Sequence, residues 1–315
     1  MSAAPSYIPV PVESLVGEAK TEFDLYLQLS SKYVLYLRKG GVFDSGRLDK
    51  MREKNVRNMF ITGVDEAAFR AYYDRKVDLA YDPQSPMPTQ ERAAFVHGAQ
   101  AAAAEAIMAD LKNSGIYKTG EKGAKRFTEF LVKDESSLKS LLAIPNPTKN
   151  VSSHGVSVAA LAVTLAKKLG HGEAKDLHML ALGCLLHDVG HAHSPGSGFG
   201  LSLKTLNAEQ LKLYREHTMT GVRAVQELVH FDQHVVKIIL EHEEHIDGSG
   251  YPKGLKEKQM HAYPVIAATA NAFVHLVETE GESFPTAMKR LVVEKIGRHP
   301  LTHINALKAI VQTLG

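Results

Sequence analysis

Beyond about residue 150 the chain is written almost throughout in the period of a helix, and its histidines are planted in that half. Leu161, Leu165 and Leu169 recur four apart and Gly170 closes the run, as in a helix with one buried stripe. Residues 174–188 are apolar on nearly every side, which predicts a central, buried helix. Of 16 histidines only His97 precedes residue 150. These elements predict an all-helical bundle carrying imidazoles toward its core.

The first half reads differently. Residues 25–29 and 33–37 are short, aromatic-rich, strand-like runs parted by Ser30-Ser31, as in a hairpin. Residues 45–54 predict a short polar helix and 58–62 a strand. Asp65 is placed to cap a helix through Tyr73. Pro83, Pro86 and Pro88 mark a linker. Residues 90–113 are alanine-rich and predict a helix. Residues 123–143 predict another, before a break at Pro145 and Pro147. The expected organisation is a small α+β regulatory module over 1–85, a helical linker region over 86–148 and an all-α metal-binding domain over 149–315. A length of 315 residues agrees with two domains.

Charge narrows the partners. Lys and Arg number 37 against 35 Asp and Glu, which gives no bulk field for nucleic acid or an anionic membrane. The single cysteine, Cys184, lies in an apolar run and is expected to be buried and inert. Met1 to Pro5 lack the charged and apolar regions of a signal peptide, and no apolar run reaches spanning length. A cytoplasmic location is expected.

Four segments carry imidazole or carboxylate groups that helical geometry turns inward. His187 and Asp188 fall on the face of Leu180 and Cys184. His242 shares a face with Val235 and Ile238, and His217 with Gly221, Ala224 and Leu228. His154 opens the Leu161 helix. A buried imidazole or carboxylate needs a partner, and one metal site supplies it to all of them. Each histidine alone would equally fit a hydrogen-bonded core residue; the agreement of four segments favours the metal. A zincin helix is set aside, because His242 and His245 are three apart rather than four. His171, His178, His230, His234, His261, His275, His299 and His303 are expected to be solvated or structural.

The run Asp-Gly-Ser-Gly-Tyr-Pro-Lys-Gly-Leu from Asp247 to Leu255 follows His242 at a short distance. With His154, His187-Asp188 and His217, it resembles the HD-GYP family of HD phosphohydrolases over roughly residues 150 to 280. The resemblance implies an all-helical fold and hydrolysis of cyclic di-GMP to pGpG or GMP. It implies divalent ions, iron first and manganese as the alternative, that activate a water as hydroxide. His154, His187, Asp188, His217 and His242 match metal ligands, with Asp188 as the bridge. Asp188 and His191 are the expected catalytic residues. Gly250, Tyr251 and Pro252 form either a wall of the substrate cleft or a tight turn. The implied partners are cyclic di-GMP or a related nucleotide and cyclic-di-GMP-synthesising signalling proteins.

This chain departs from the family pattern. Asn150 stands at a usual glutamate, Glu243 at a usual second histidine and Asn271 at a usual late aspartate. Two ions rather than three are therefore expected, with Glu243 and Asn271 as additional ligands, the amide being the weaker. Thr218 replaces a proline. His191 replaces a lysine; with His193 it either protonates a leaving alkoxide or contacts a phosphate, or both are solvated at a helix end. Glu278, Glu280 and Glu282 occupy a segment that is usually cationic and holds phosphate. Three functions fit: a cyclic di-GMP phosphodiesterase, a degenerate signalling module that binds metal and nucleotide or protein partners with little or no turnover, or a phosphohydrolase for another nucleotide.

Overall fold

The structure, a computed structural model, describes residues 6–15, 20–54, 56, 58–134, 136–172, 174–294 and 297–314. Residues 1–5, which bear on the targeting expectation, lie outside them. Two compact units divide between Gly98 and Ala99.

The first unit carries four antiparallel strands: β1 (Tyr7–Pro11), β2 (Leu25–Leu29), β3 (Lys32–Leu37) and β4 (Asn58–Thr62), in the order β1-β4-β2-β3. The expected hairpin is β2–β3, and β4 falls on the expected residues. Strand β1 was not legible in the sequence, because Pro9 and Pro11 withhold ladder donors. They are tolerated at a sheet edge. Val10, Leu25, Met59 and Ile61 are buried. Phe23 meets Phe69 and Tyr72 edge-on, each at 5.3 Å between centroids. Helices α1 (Ser45–Glu53) and α2 (Glu66–Tyr81) complete the unit. Asp65 does not cap α2 through its side chain. It continues a 3-10 turn with helical φ and ψ, and its carboxylate accepts from Thr62 Oγ1 at 3.1 Å instead. Helix α3 (Thr89–Ala109) runs across the division.

The second unit is helical: α4 (Ser114–Lys133), α5 (Ser137–Leu142), α6 (Val151–Lys168), α7 (Ala174–Leu186), α8 (Val189–Ala192), α9 (Ala208–Val225), α10 (Gln233–Glu241), α11 (Ala262–Glu278), α12 (Phe284–Glu294) and α13 (Leu301–Leu314). Asn113, Asn150, Asn207 and Asp232 cap α4, α6, α9 and α10, each accepting backbone N–H groups. Helix α6 is buried along most of its length and packs against α7, α11 and α4. The expected helix over 123–143 is two helices broken at Asp134.

The helices bearing the candidate ligands end earlier than periodicity alone suggests. Helix α7 stops at Leu186, so His187 and Asp188 form the turn into α8. Helix α10 stops at Glu241, and His242 is its C-cap. The chain turns at Asp188 so that α8 can lie against α9. Their backbones approach so closely that a Cβ built on Gly190 would stand 1.8 Å from the His217 carbonyl oxygen. Among the described residues no helix is long and apolar enough to cross a membrane.

Candidate metal centre

Asp188 sits at the meeting point of four imidazoles, and its two carboxylate oxygens face different pairs. Oδ2 lies 3.2 Å from His187 Nε2 and 3.9 Å from His154 Nε2. Oδ1 lies 3.3 Å from His217 Nε2 and 3.4 Å from His242 Nε2. All five residues are buried. The helices that periodicity pointed at one core do bring these side chains together.

Local backbone chemistry sets each ring's tautomer. A carbonyl only accepts, so any ring nitrogen bonded to one must carry a proton. His187 Nδ1 donates to the Cys184 carbonyl at 2.6 Å. His217 Nδ1 donates to the Tyr214 carbonyl, and His242 Nδ1 to the Ile238 and Ile239 carbonyls at 3.1 Å. The Cys184 and Ile239 carbonyls lie in the last turns of α7 and α10, where helix geometry leaves acceptors over, and the Ile238 carbonyl is shared with the His242 N–H. The free lone pairs are thus the Nε2 atoms, all aimed at Asp188. Two of them, on His217 and His242, face each other at 2.9 Å. His187 Nε2 is buried without a hydrogen-bond partner, near Asp188 but off hydrogen-bond alignment. Lone pairs converging on a carboxylate fit a cation, and histidines braced through Nδ1 are the usual form of a metal ligand.

His154 is braced differently. Its Nδ1 faces Glu278 Oε2 at 3.1 Å and its Nε2 faces Asn271 Oδ1 at 3.0 Å. Asn271 Nδ2 donates to Glu243 Oε1 at 3.2 Å, which fixes the amide with its oxygen toward His154. Both nitrogens of His154 therefore face acceptors. Burial alone would lower its pKa, but the Glu278 bond and the Glu278 and Asp188 charges outweigh it and hold the pKa near 9. Burial also pushes His187 down, despite Asp188 beside it. Burial would raise Asp188, yet His187, His217 and His242, whenever they are protonated, hold it well below the usual carboxylate range. Glu243 groups with His217 and His242 within ligand distance, and His191 with Asp188 and His217.

A pH dependence follows. The folded His154 pKa lies above its ordinary 6.5. Its proton therefore stabilises metal-free protein below pH 6.5, and that contribution fades as pH rises through about 9. A cation at Nε2 must expel this proton, so metal affinity is expected to rise with pH toward 9. Glu278→Gln should shift that rise to lower pH and weaken metal binding by about 10–100-fold. Metal titrations of both proteins across pH test this.

Some expected groups lie elsewhere. The Asn150 side chain is taken up by capping α6, where it accepts from Ser153 N at 3.1 Å. His191 is not solvated: it is buried, stacks on His217 at 4.0 Å between centroids, and bonds Ser197 Oγ through Nδ1 at 2.8 Å. Burial and the neighbouring His217 push its pKa down to about 2. His193 instead meets the Met108 carbonyl at 3.0 Å. The acidic segment is not one repulsive wall. Glu278 faces His154, while Glu280 and Glu282 both pair with Arg290.

The Gly-Tyr-Pro loop packs on the end of the His242 segment. A Cβ on Gly250 would come within 2.3 Å of His245 N, and the Tyr251–Pro252 peptide is cis. The Tyr251 hydroxyl is buried facing Glu243; burial and that carboxylate raise its pKa well above 10. Glu244, which sequence reasoning passed over, is buried and holds the loop by accepting from Lys253 N at 2.6 Å and Leu255 N at 2.9 Å. An open cleft is lined by His154, Asp188, Asn271, Tyr214, Glu278 and Lys149 among others.

The HD domain family model matches residues 132–295. Bd1817, a HDG"Y"P protein from Bdellovibrio bacteriovorus, superposes with a TM-score of 0.88 at 36% identity, covering 98% of this chain and 100% of that one. The cyclic di-GMP phosphodiesterase PA4108 of Pseudomonas aeruginosa is 26% identical over 254 residues, 75% of this chain and 60% of its own length. A cyclic di-GMP phosphodiesterase of Thermotoga maritima is 29% identical over 159 residues, 49% of this chain and 43% of its own length. The chain thus spans 60% and 43% of these two curated relatives.

Proposed function

The chain belongs to the HD domain family, in its HD-GYP branch, and from that premise we propose that it hydrolyses cyclic di-GMP to pGpG or GMP with two divalent ions. His154 and His187 with Asp188 would hold one ion, His217 and His242 with Asp188 the other, and Glu243 and Asn271 would be the further ligands. The observation that carries this reading is the split of four imidazoles between the two oxygens of one ionised carboxylate. A nitrogen- and oxygen-rich set suits iron or manganese.

Bound divalent ions supply Lewis acidity and lower the pKa of water toward neutrality. The protein's own groups do the rest. Asp188 stays ionised and shared between the two histidine pairs. Glu278 keeps the His154 ring oriented. His191 is neutral; held through Nδ1 by Ser197 and stacked on His217, it orients the His217 ring beside Asp188. Tyr251 stays protonated at neutral pH, its hydroxyl held buried against Glu243.

A second reading is a module that binds metal and nucleotide without turning over. Asn150 and Asn271 favour it, one engaged in a helix cap and the other a neutral amide. Incubation of Mn(II)- or Fe(II)-loaded protein with cyclic di-GMP, followed by chromatography, separates the two. Appearance of pGpG or GMP is expected. Bound metal and bound nucleotide without product would leave the second reading in place.

A further inference from the structure

Among the described residues lining the cleft, Lys149 is the only lysine or arginine. Three features single it out. Its backbone is left-handed, with φ 51, a conformation in which glycine would be unstrained and lysine is not. Its stem lies against bare backbone: a Cβ built on Gly200 would stand 2.3 Å from Lys149 Cβ. Its Nζ donates to the Glu278 carbonyl at the end of α11. Glu278 is also the residue whose carboxylate braces His154. The turn is held from below, where Asn146 accepts from Lys149 N at 3.1 Å and, through Oδ1, from Asn150 N at 2.8 Å.

We propose that Lys149 is the phosphate anchor of this site, its ammonium taking a non-bridging oxygen of the dinucleotide's phosphate beside the metal centre. The proposal rests on the phosphodiesterase reading above. It supplies the cation that the acidic segment after Asn271 does not, since Arg290 is engaged by Glu280, Glu282 and Glu294. The competing role is purely structural: a lysine that caps the carbonyls of α11.

Lys149→Gly separates the two, because glycine suits the left-handed backbone while the ammonium is deleted. Metal-loaded wild type, Lys149→Gly and Lys149→Arg are compared with cyclic di-GMP as the probe. The expected result for Lys149→Gly is a KM raised about tenfold or more. Its melting temperature and metal content should be essentially unchanged. Lys149→Arg should recover most of the affinity, and added salt should weaken wild type more than Lys149→Gly. If wild type binds without turnover, the Kd carries the same comparison. An unchanged KM overturns the proposal. So does a loss shared by melting temperature and metal content, which marks a helix cap. Wild-type protein that is metal-loaded yet neither binds nor cleaves the dinucleotide overturns the phosphodiesterase reading itself, and the anchor with it.

Discussion

Asp188→Ala is expected to strip the centre of metal and to lower the proposed phosphodiesterase activity by at least about a thousandfold, since loss of the ions removes several kcal/mol of charge stabilisation. The reason lies in the arrangement rather than in the loss of one ligand. His187, His217 and His242 give their Nδ1 protons to backbone carbonyls and so present neutral Nε2 atoms. Among the described residues the carboxylate is the only charge that touches both pairs. Without it, His217 and His242 keep only Glu243, and His154 and His187 only the neutral Asn271 amide, so each pair holds a divalent ion less well. Asp188→Asn keeps the volume and one neutral oxygen, so it should retain more metal than the alanine variant. Elemental analysis of both proteins and their turnover give the answer. Wild-type metal content in Asp188→Ala would contradict the bridging assignment.

Gly190→Ala is expected to be the most damaging conservative change near the site. The added methyl would stand 1.8 Å from the His217 carbonyl oxygen and 2.9 Å from Gly221 N. Both are backbone atoms, so no side chain can swing aside. Helices α8 and α9 would have to part, at a cost of about 3 kcal/mol or more. His217 would then move away from Asp188, so metal should be lost along with stability. Thermal melting with and without Mn(II) checks both. A wild-type melting temperature that still rises with metal would show that the two backbones are free to separate.

Much of this site could be read from one-dimensional signals. The Gly-Tyr-Pro run, the His-Asp pair and helical spacing pointed His154, His187, His217 and His242 at one core, and they meet there. The turn that carries His187 and Asp188 was less visible. Apolar periodicity continues through it, and the stop is dictated by contact between α8 and α9. Glu278 was read only as a misplaced negative charge. Its pairing with His154 spans 124 residues of sequence, and no local pattern encodes it. Asn150 shows the opposite difficulty. A short polar residue just before a helix is equally a cap or a ligand, and the hydrogen bond to Ser153 decides for the cap. Strand β1 escaped because two prolines are strand-breaking signals everywhere except at an edge. Lys149 carries no motif at all; its backbone angle and its place in the cleft make it visible.

The most direct measurement is of metal per chain and of coupling between ions, by elemental analysis and electron paramagnetic resonance on protein loaded with Mn(II) or Fe(II). The expected result is two ions per chain, magnetically coupled, and lost together in Asp188→Ala. A single ion per chain, or two ions that ignore one another and survive that substitution, would contradict a carboxylate shared between two histidine pairs.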